Sequence, residues 1–205
     1  QLCSANGVDI IAGQAVFEDP TTVRIQENNN VSQIEFDNAV VSTGSRPIEL
    51  PGFPFSEPSI LDSRSALALE EVPDKLLIVG AGYIGMELAT VFAKLDTDVT
   101  IVEMLDSILP TYDDDLTKPV RDRADTLGID FRFGESAINW SETNEGIVVT
   151  TENEIGDRYE YHTQKMLVAV GRESVTNTVN LEAAEIQPDD NGFIPTDRQQ
   201  RTEQD

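Results

Sequence analysis

The chain has 205 residues, with 14 Lys plus Arg against 38 Asp plus Glu, for a formal net charge of -24. That excess of anions excludes electrostatic docking on nucleic-acid phosphates or on an anionic membrane surface. A hydrophobic content of 39% is too high for a disordered chain, and a lone cysteine, Cys3, excludes an internal disulfide or a cysteine-rich metal centre.

From the N-terminus the chain reads as short β segments: Val8 to Phe17, Thr22 to Gln26, Val31 to Phe36 and Ala39 to Ser42. Asp19-Pro20 and the Asn28-Asn29-Asn30 run separate them as turns. Arg46 to Pro58 carries Pro47, Pro51, Pro54 and Pro58 without periodicity and reads as a linker or crossover. Ser63 to Leu69 reads as a short helix capped by Ser63.

Leu76 to Ala93 is nearly uncharged and long enough to suggest a membrane span. Its punctuation says otherwise. An apolar run, Leu76 to Val79, leads into glycines 80, 82 and 85, and then Ile84, Leu88, Val91, Phe92 and Leu95 fall on one helix face. The expectation is strand, tight turn, helix. Val99 to Glu103 reads as the next strand. Asp113 to Asp115 open a second helix, with acids where the helix dipole favours them. Pro119 is expected to kink that helix start, and Gly128 to end it in the left-handed conformation. Ile129 to Phe133 is a third strand, Ile147 to Thr151 and Arg158 to His162 form a hairpin around Gly156, and Lys165 to Val170 is a buried strand stopped by Gly171. The fold class is therefore α/β: a Rossmann-like parallel sheet with helices on both faces and an antiparallel β insert.

Gly80-Ala81-Gly82-Tyr83-Ile84-Gly85 sits between a strand and a helix, as a dinucleotide-binding turn requires. Gly80 permits the sharp turn, Gly82 lets backbone N–H groups approach a pyrophosphate, and Gly85 lets helix pack on strand. The helix N-terminus adds positive potential toward that phosphate. Glu103 ends the second strand, where a carboxylate accepts hydrogen bonds from the hydroxyls of an adenosine ribose and repels a 2′-phosphate. The cofactor expected from these residues is NAD(H) rather than NADP(H).

Residues 75 to 118 resemble the NAD-binding domain of the FAD-dependent pyridine nucleotide-disulfide oxidoreductase family. Val41-Ser42-Thr43-Gly44-Ser45 resembles the segment that returns from the family's FAD domain. Leu167 to Arg172 resembles its LVAVGR stretch, and Asn191 to Asp197 the stretch before its second FAD motif. The resemblance runs nearly end to end and in the family's order. It implies that Gly80, Ala81, Gly82, Tyr83, Ile84, Gly85, Met86 and Glu87 form the NAD loop and helix start, with Glu103 on the ribose. Ala137 and Gly171 would line the adenine and nicotinamide ends. Gly13, Thr43, Gly44 and Ser45 would touch FAD. Tyr83 would cover the flavin face, and Glu87 would lie near nicotinamide and flavin.

The resemblance further implies domains at 1–62 (later part of an FAD domain plus linker), 63–185 (NAD domain) and 186–205 (return to the FAD domain). It implies a cytoplasmic homodimer that passes electrons from dihydrolipoamide, free or on a lipoyl domain, through a disulfide and FAD to NAD⁺. A 2-oxoacid dehydrogenase complex is the implied assembly. The chain lacks the family's Cys-x4-Cys pair, its first GxGxxG, its later Gly-Asp and its C-terminal His-Glu base, so it reads as a central piece without catalytic residues. Other members (an NADH oxidase, a CoA-disulfide reductase, a mercuric reductase) and a stand-alone NAD-binding module remain open alternatives. Asp96 stands where the family has Gly, in a turn that Asp tolerates. Cys3 and His162 carry no expected chemistry, Trp140 and Phe133 read as packing, and Asp113 to Asp115 as a solvated helix start rather than a metal site. The scattered acids suit molar salt, where the Debye length falls to about 3 Å.

Overall fold

The computed structural model describes residues 2–204. The chain opens with one helical turn, α1 (Leu2–Ala5), then β1 (Gln14–Asp19), β2 (Thr22–Glu27), β3 (Asn30–Glu35) and β4 (Ser45–Pro47). There follow β5 (Ile60–Leu61), α2 (Ser63–Leu67), β6 (Lys75–Val79), α3 (Tyr83–Lys94), β7 (Asp98–Glu103), α4 (Asp114–Thr126) and β8 (Asp130–Phe133). The last strands are β9 (Glu135–Thr143), β10 (Gly146–Asn153), β11 (Arg158–Thr163), β12 (Lys165–Val168) and β13 (Arg172–Ser174). Two compact units result: residues 47–172, and residues 1–46 with 173–205.

The larger unit is built on a five-stranded parallel sheet in the order β5-β12-β6-β7-β8. Its strands pair in register, Ile78 with Ile101 and Leu167 with Ile78. Such strands are apolar on both sides because both faces are covered. On one face Leu76, Ile78, Val99 and Ile101 pack with Met86, Leu88, Ala89 and Phe92 of α3, Ala66 of α2 and Ala124 of α4. On the other, Leu77, Val79, Val102, Met166 and Val168 pack with Ile147 and Val149 of β10. Helices thus cover one face and the antiparallel insert the other, in place of helices on both. Ile78, Ile101, Val102, Met166 and Leu167 are fully buried, each worth about 1.5–3 kcal/mol in the transfer of its side chain from water.

The insert has three strands, β11-β10-β9, not a two-stranded hairpin. β9 escapes a sequence reading because its residues are mostly polar and exposed. Trp140 is anchored by its indole N–H, which donates to the Gly52 carbonyl at 2.9 Å. The proline-rich segment is more than a spacer, since Phe53 is 1% exposed and sits in the core with Ile60 and Leu77. The N-cap of α2 is Asp62, one residue earlier than expected, in a reciprocal capping box with Ser65. Asp96 (φ 67°) and Gly128 (φ 76°) both adopt the left-handed conformation at their turns. Pro119 lies inside α4, which runs through it.

In the smaller unit β1, β2 and β3 form an antiparallel meander. Phe17 packs with Leu181, Ala184 and Ile186. The first expected strand is shorter than its apolar run: Val8, Ile10 and Ile11 are exposed and lie outside β1. Ala39 to Ser42 is likewise not a strand. No helix among the described residues is long and apolar enough to cross a membrane.

Candidate functional site

In the larger unit, the carboxyl ends of β12, β6 and β7 open into a groove of about 470 Å³. β6 is the centre of the sheet, with β7 on one side and β12 on the other. The crevice outside such strand ends is where open α/β sheets bind ligands. Gly80, Gly82, Tyr83, Ile84, Glu103, Ala137 and Gly171 line it, so seven of the residues read as NAD contacts meet in one place.

The three glycines of the turn have different tasks. Gly80 has φ 106°, and a Cβ there would meet the Ala169 carbonyl oxygen at 2.5 Å. A Cβ on Gly85 would collide with the Gly80 carbonyl, which lets α3 press on the loop. Gly82 is neither crowded nor in the left-handed region: nothing lies within 4 Å of its would-be Cβ. It is the N-cap of α3 and supplies no side-chain acceptor to the first turn. The leading N–H groups of a 12-residue helix therefore lack a side-chain cap beside an open space. That donor set fits a pyrophosphate.

Glu103 is 8% exposed. Its Oε2 accepts from the Ala81 N–H at 2.7 Å and its Oε1 from the Leu105 N–H at 2.9 Å. The carboxylate thus ties the glycine loop to the end of β7, a task the sequence does not disclose. Each oxygen keeps a second lone pair for a hydroxyl donor. The loop is held from a second side, because the Leu109 N–H donates to the Ala81 carbonyl at 2.9 Å. Ala81 and Met86 lie in the core behind the loop. Glu87 is exposed on α3 and Tyr83 is 55% exposed at the groove. Gly171 has φ 133°, and its hydrogen faces Ile48 Cδ1.

Sequence reasoning misses Glu135, at the start of β9. It lines the groove with Ser136 and is itself 8% exposed. Its carboxylate accepts from the Thr151 hydroxyl at 2.5 Å and from the Tyr161 hydroxyl at 2.9 and 3.1 Å. Burial, and then that carboxylate, raise the Tyr161 phenol above its ordinary value of 10.0. Register brings the three together, since Glu135 pairs with Asn153 two residues from Thr151. The only available signal was position, immediately after the carboxyl end of β8.

The residues read as FAD contacts lie in the smaller unit. Gly13 has φ 144° and presses on β2: a Cβ would meet Ile25 Cγ2 at 2.6 Å and the Gln26 carbonyl at 2.8 Å. Packing alone therefore requires glycine there. Gly44 has φ 73° with open space around it, Thr43 is half-buried, and Ser45 begins β4.

The family model described as pyridine nucleotide-disulphide oxidoreductase matches residues 1–205. The chain is 53% identical over 206 residues to a dihydrolipoyl dehydrogenase of Halobacterium salinarum, covering 99% of this chain and 44% of that protein. It is 56% identical over 204 residues to dihydrolipoyl dehydrogenase 2 of Haloarcula marismortui, covering 98% and 43%. Among solved structures, LpdA from Mycobacterium tuberculosis superposes with a TM-score of 0.86 at 27% identity, covering 98% of this chain and 44% of that one. The HOCl-induced flavoprotein disulfide reductase RclA from Escherichia coli gives 0.84 at 27% identity, covering 97% and 44%. The chain spans less than half the length of these relatives. With the family matched across its whole sequence and the glycine turn set in a parallel sheet, the chain belongs to the pyridine nucleotide-disulphide oxidoreductase family.

Proposed function

We propose that the larger unit is the NAD(H)-binding part of a flavoprotein dihydrolipoyl dehydrogenase. The observation that carries this is the uncapped start of α3 opening on a groove whose β7 end holds a buried carboxylate, Glu103. The first-turn N–H groups hold the pyrophosphate, and Gly82 leaves room for it. The free lone pairs of Glu103 take the ribose hydroxyls, Ala137 lines the adenine end and Gly171 the nicotinamide end. Tyr83 stands over the groove, and Glu87 approaches from the exposed side of α3. The smaller unit contributes Gly13, Thr43, Gly44 and Ser45 toward FAD.

In the intact enzyme, dihydrolipoamide, free or on a lipoyl domain, reduces a cysteine pair, and hydride leaves the flavin for NAD⁺. This chain supplies positioning: it orients the dinucleotide and provides the field around it. The FAD portion is the smaller unit and the NAD portion the larger one, so the bounds expected at 62/63 and 185/186 fall at 46/47 and 172/173. The enzyme is a cytoplasmic homodimer that serves a 2-oxoacid dehydrogenase complex. The identity to haloarchaeal dihydrolipoyl dehydrogenases supports this substrate over other thiols.

Titrating the chain with NADH in molar KCl and following nicotinamide fluorescence tests the core of the reading. Saturable binding, weakened at least about tenfold by Gly82→Ala, is expected. Failure to bind, or binding indifferent to Gly82→Ala, refutes it. Sequencing the reading frame on both sides of the chain tests the assignment to a flavoprotein. A Cys-x4-Cys upstream and a His-Glu pair downstream are required.

A further inference from the structure

Two carboxylates line the nucleotide groove, and only Glu103 has a task in the reading above. Glu135 is equally buried, and its carboxylate accepts from two hydroxyls, those of Thr151 and Tyr161. Those hydrogen bonds from Thr151 and Tyr161 make the burial of its carboxylate tolerable without a salt bridge. Sheet order places it. Glu103 ends β7, and Glu135 begins immediately beyond β8, the strand paired with β7 through Glu103 and Phe133. Both acids therefore stand on the β7–β8 side of the groove. The one basic residue among the groove's lining residues is Arg172, beyond the end of β12. β6 lies between β12 and β7, which separates those strands by about 10 Å at the usual strand spacing. The two carboxylates that line the groove thus stand together on the β7–β8 side of the glycine turn.

We infer that Glu135 is a second specificity-determining carboxylate, which together with Glu103 excludes a nucleotide carrying a phosphate on its adenosine ribose. The inference rests on the NAD(H) reading of the groove and deepens it. A phosphate dianion brought to the β7–β8 side meets two negative charges in a partly dry site, where like-charge contact is strongly unfavourable. The surroundings make burial necessary. In molar salt the charges on the surface are screened within a few ångströms, so the chain's large negative charge does little to reject one more phosphate. Buried carboxylates escape most of that screening and continue to discriminate.

The test is fluorescence titration of the full 205-residue chain with NADH and NADPH at 1 M KCl, with a melting curve on each variant. Glu135→Gln keeps the shape and can still accept from Tyr161. It is expected to narrow the preference for NADH over NADPH about tenfold, with NADH affinity held within about threefold. Tyr161→Phe, which keeps the carboxylate and removes one donor, is expected to melt earlier with its preference intact. Should Glu135→Gln not fold, Ser136→Lys places a cation beside Glu135 on an exposed position and is expected to narrow the preference as well. An unchanged preference in the folded variant overturns the inference. So does a parallel loss of both nucleotides, or a shift in Tyr161→Phe as large as in Glu135→Gln, because either means that Glu135 only shapes the wall. If the unaltered chain binds no NADH, the nucleotide reading itself fails and the inference falls with it.

Discussion

Three glycines in one turn serve different ends, and single methyl groups separate them. Gly85 is closed by the Gly80 carbonyl, so Gly85→Ala forces α3 away from the loop. It should cost about 1–3 kcal/mol of stability, as overpacking does. Gly82 faces open space, so Gly82→Ala should cost less than about 1 kcal/mol yet weaken nucleotide binding at least about tenfold, since in the proposed role of the turn the methyl competes with a phosphate oxygen. Urea unfolding beside NADH titration checks both. Equal stability losses in the two variants would refute the division. Glu103 joins fold and site in one side chain. Glu103→Gln leaves either the Ala81 or the Leu105 N–H facing an amide N–H₂ instead of an oxygen. It should lower unfolding free energy by about 1–3 kcal/mol as well as weaken NADH. A variant that loses only NADH affinity would show that the loop holds its shape without the carboxylate.

Between elements, the antiparallel insert decides how the groove wall is fixed, and the Glu135–Thr151–Tyr161 cluster gives it a pH signature. The Tyr161 phenol is raised above 10.0 in the folded chain. Below that value folded and unfolded tyrosine both keep the proton, and the stabilisation is fully present. Above it the unfolded phenol releases its proton while the folded one holds it, so the unfolded state binds fewer protons and stability falls as pH rises. Denaturant unfolding from pH 8 to 11 should therefore show the advantage of the unaltered chain over Tyr161→Phe shrinking above pH 10. A gap that stays constant would mean that folding does not raise the phenol's pKa. The same elements mark the limit of what the sequence discloses. β6, β7 and β12 are legible because a strand buried on both faces must be apolar throughout. The glycine turn is legible because its spacing is local. β9 carries ESAINWSET, with too little alternation to announce a strand, and it is recruited by pairing with β10. Val8 to Ile11 fails in the opposite way, since its apolar residues find no burial in the described residues. Glu135 was hidden for the same reason as β9: its partners lie 16 and 26 residues away and meet only through register.

For the molecule as a whole, the balance between repulsion and pairing sets the response to salt. The described residues hold six ion pairs, all of them at the surface. Each such pair is worth about 0–1 kcal/mol, and salt weakens every one. Opposing them is the mutual repulsion of 38 acids against 14 basic residues, which salt also screens. Two terms of opposite sign therefore shrink together, and the larger one decides the slope. With 24 acids left over after every basic residue is matched to one, repulsion is the larger. Thermal unfolding followed by circular dichroism should show the midpoint rising by about 5 °C or more between dilute and molar KCl. At about 2–4 °C per kcal/mol for a chain of this length, that is about 2 kcal/mol. NaCl and KCl should act alike if screening is the cause, since screening depends on ionic strength and not on the ion. A midpoint that is flat or falls with salt would mean that the surface pairs outweigh the repulsion, and that the acids serve some purpose other than life in brine.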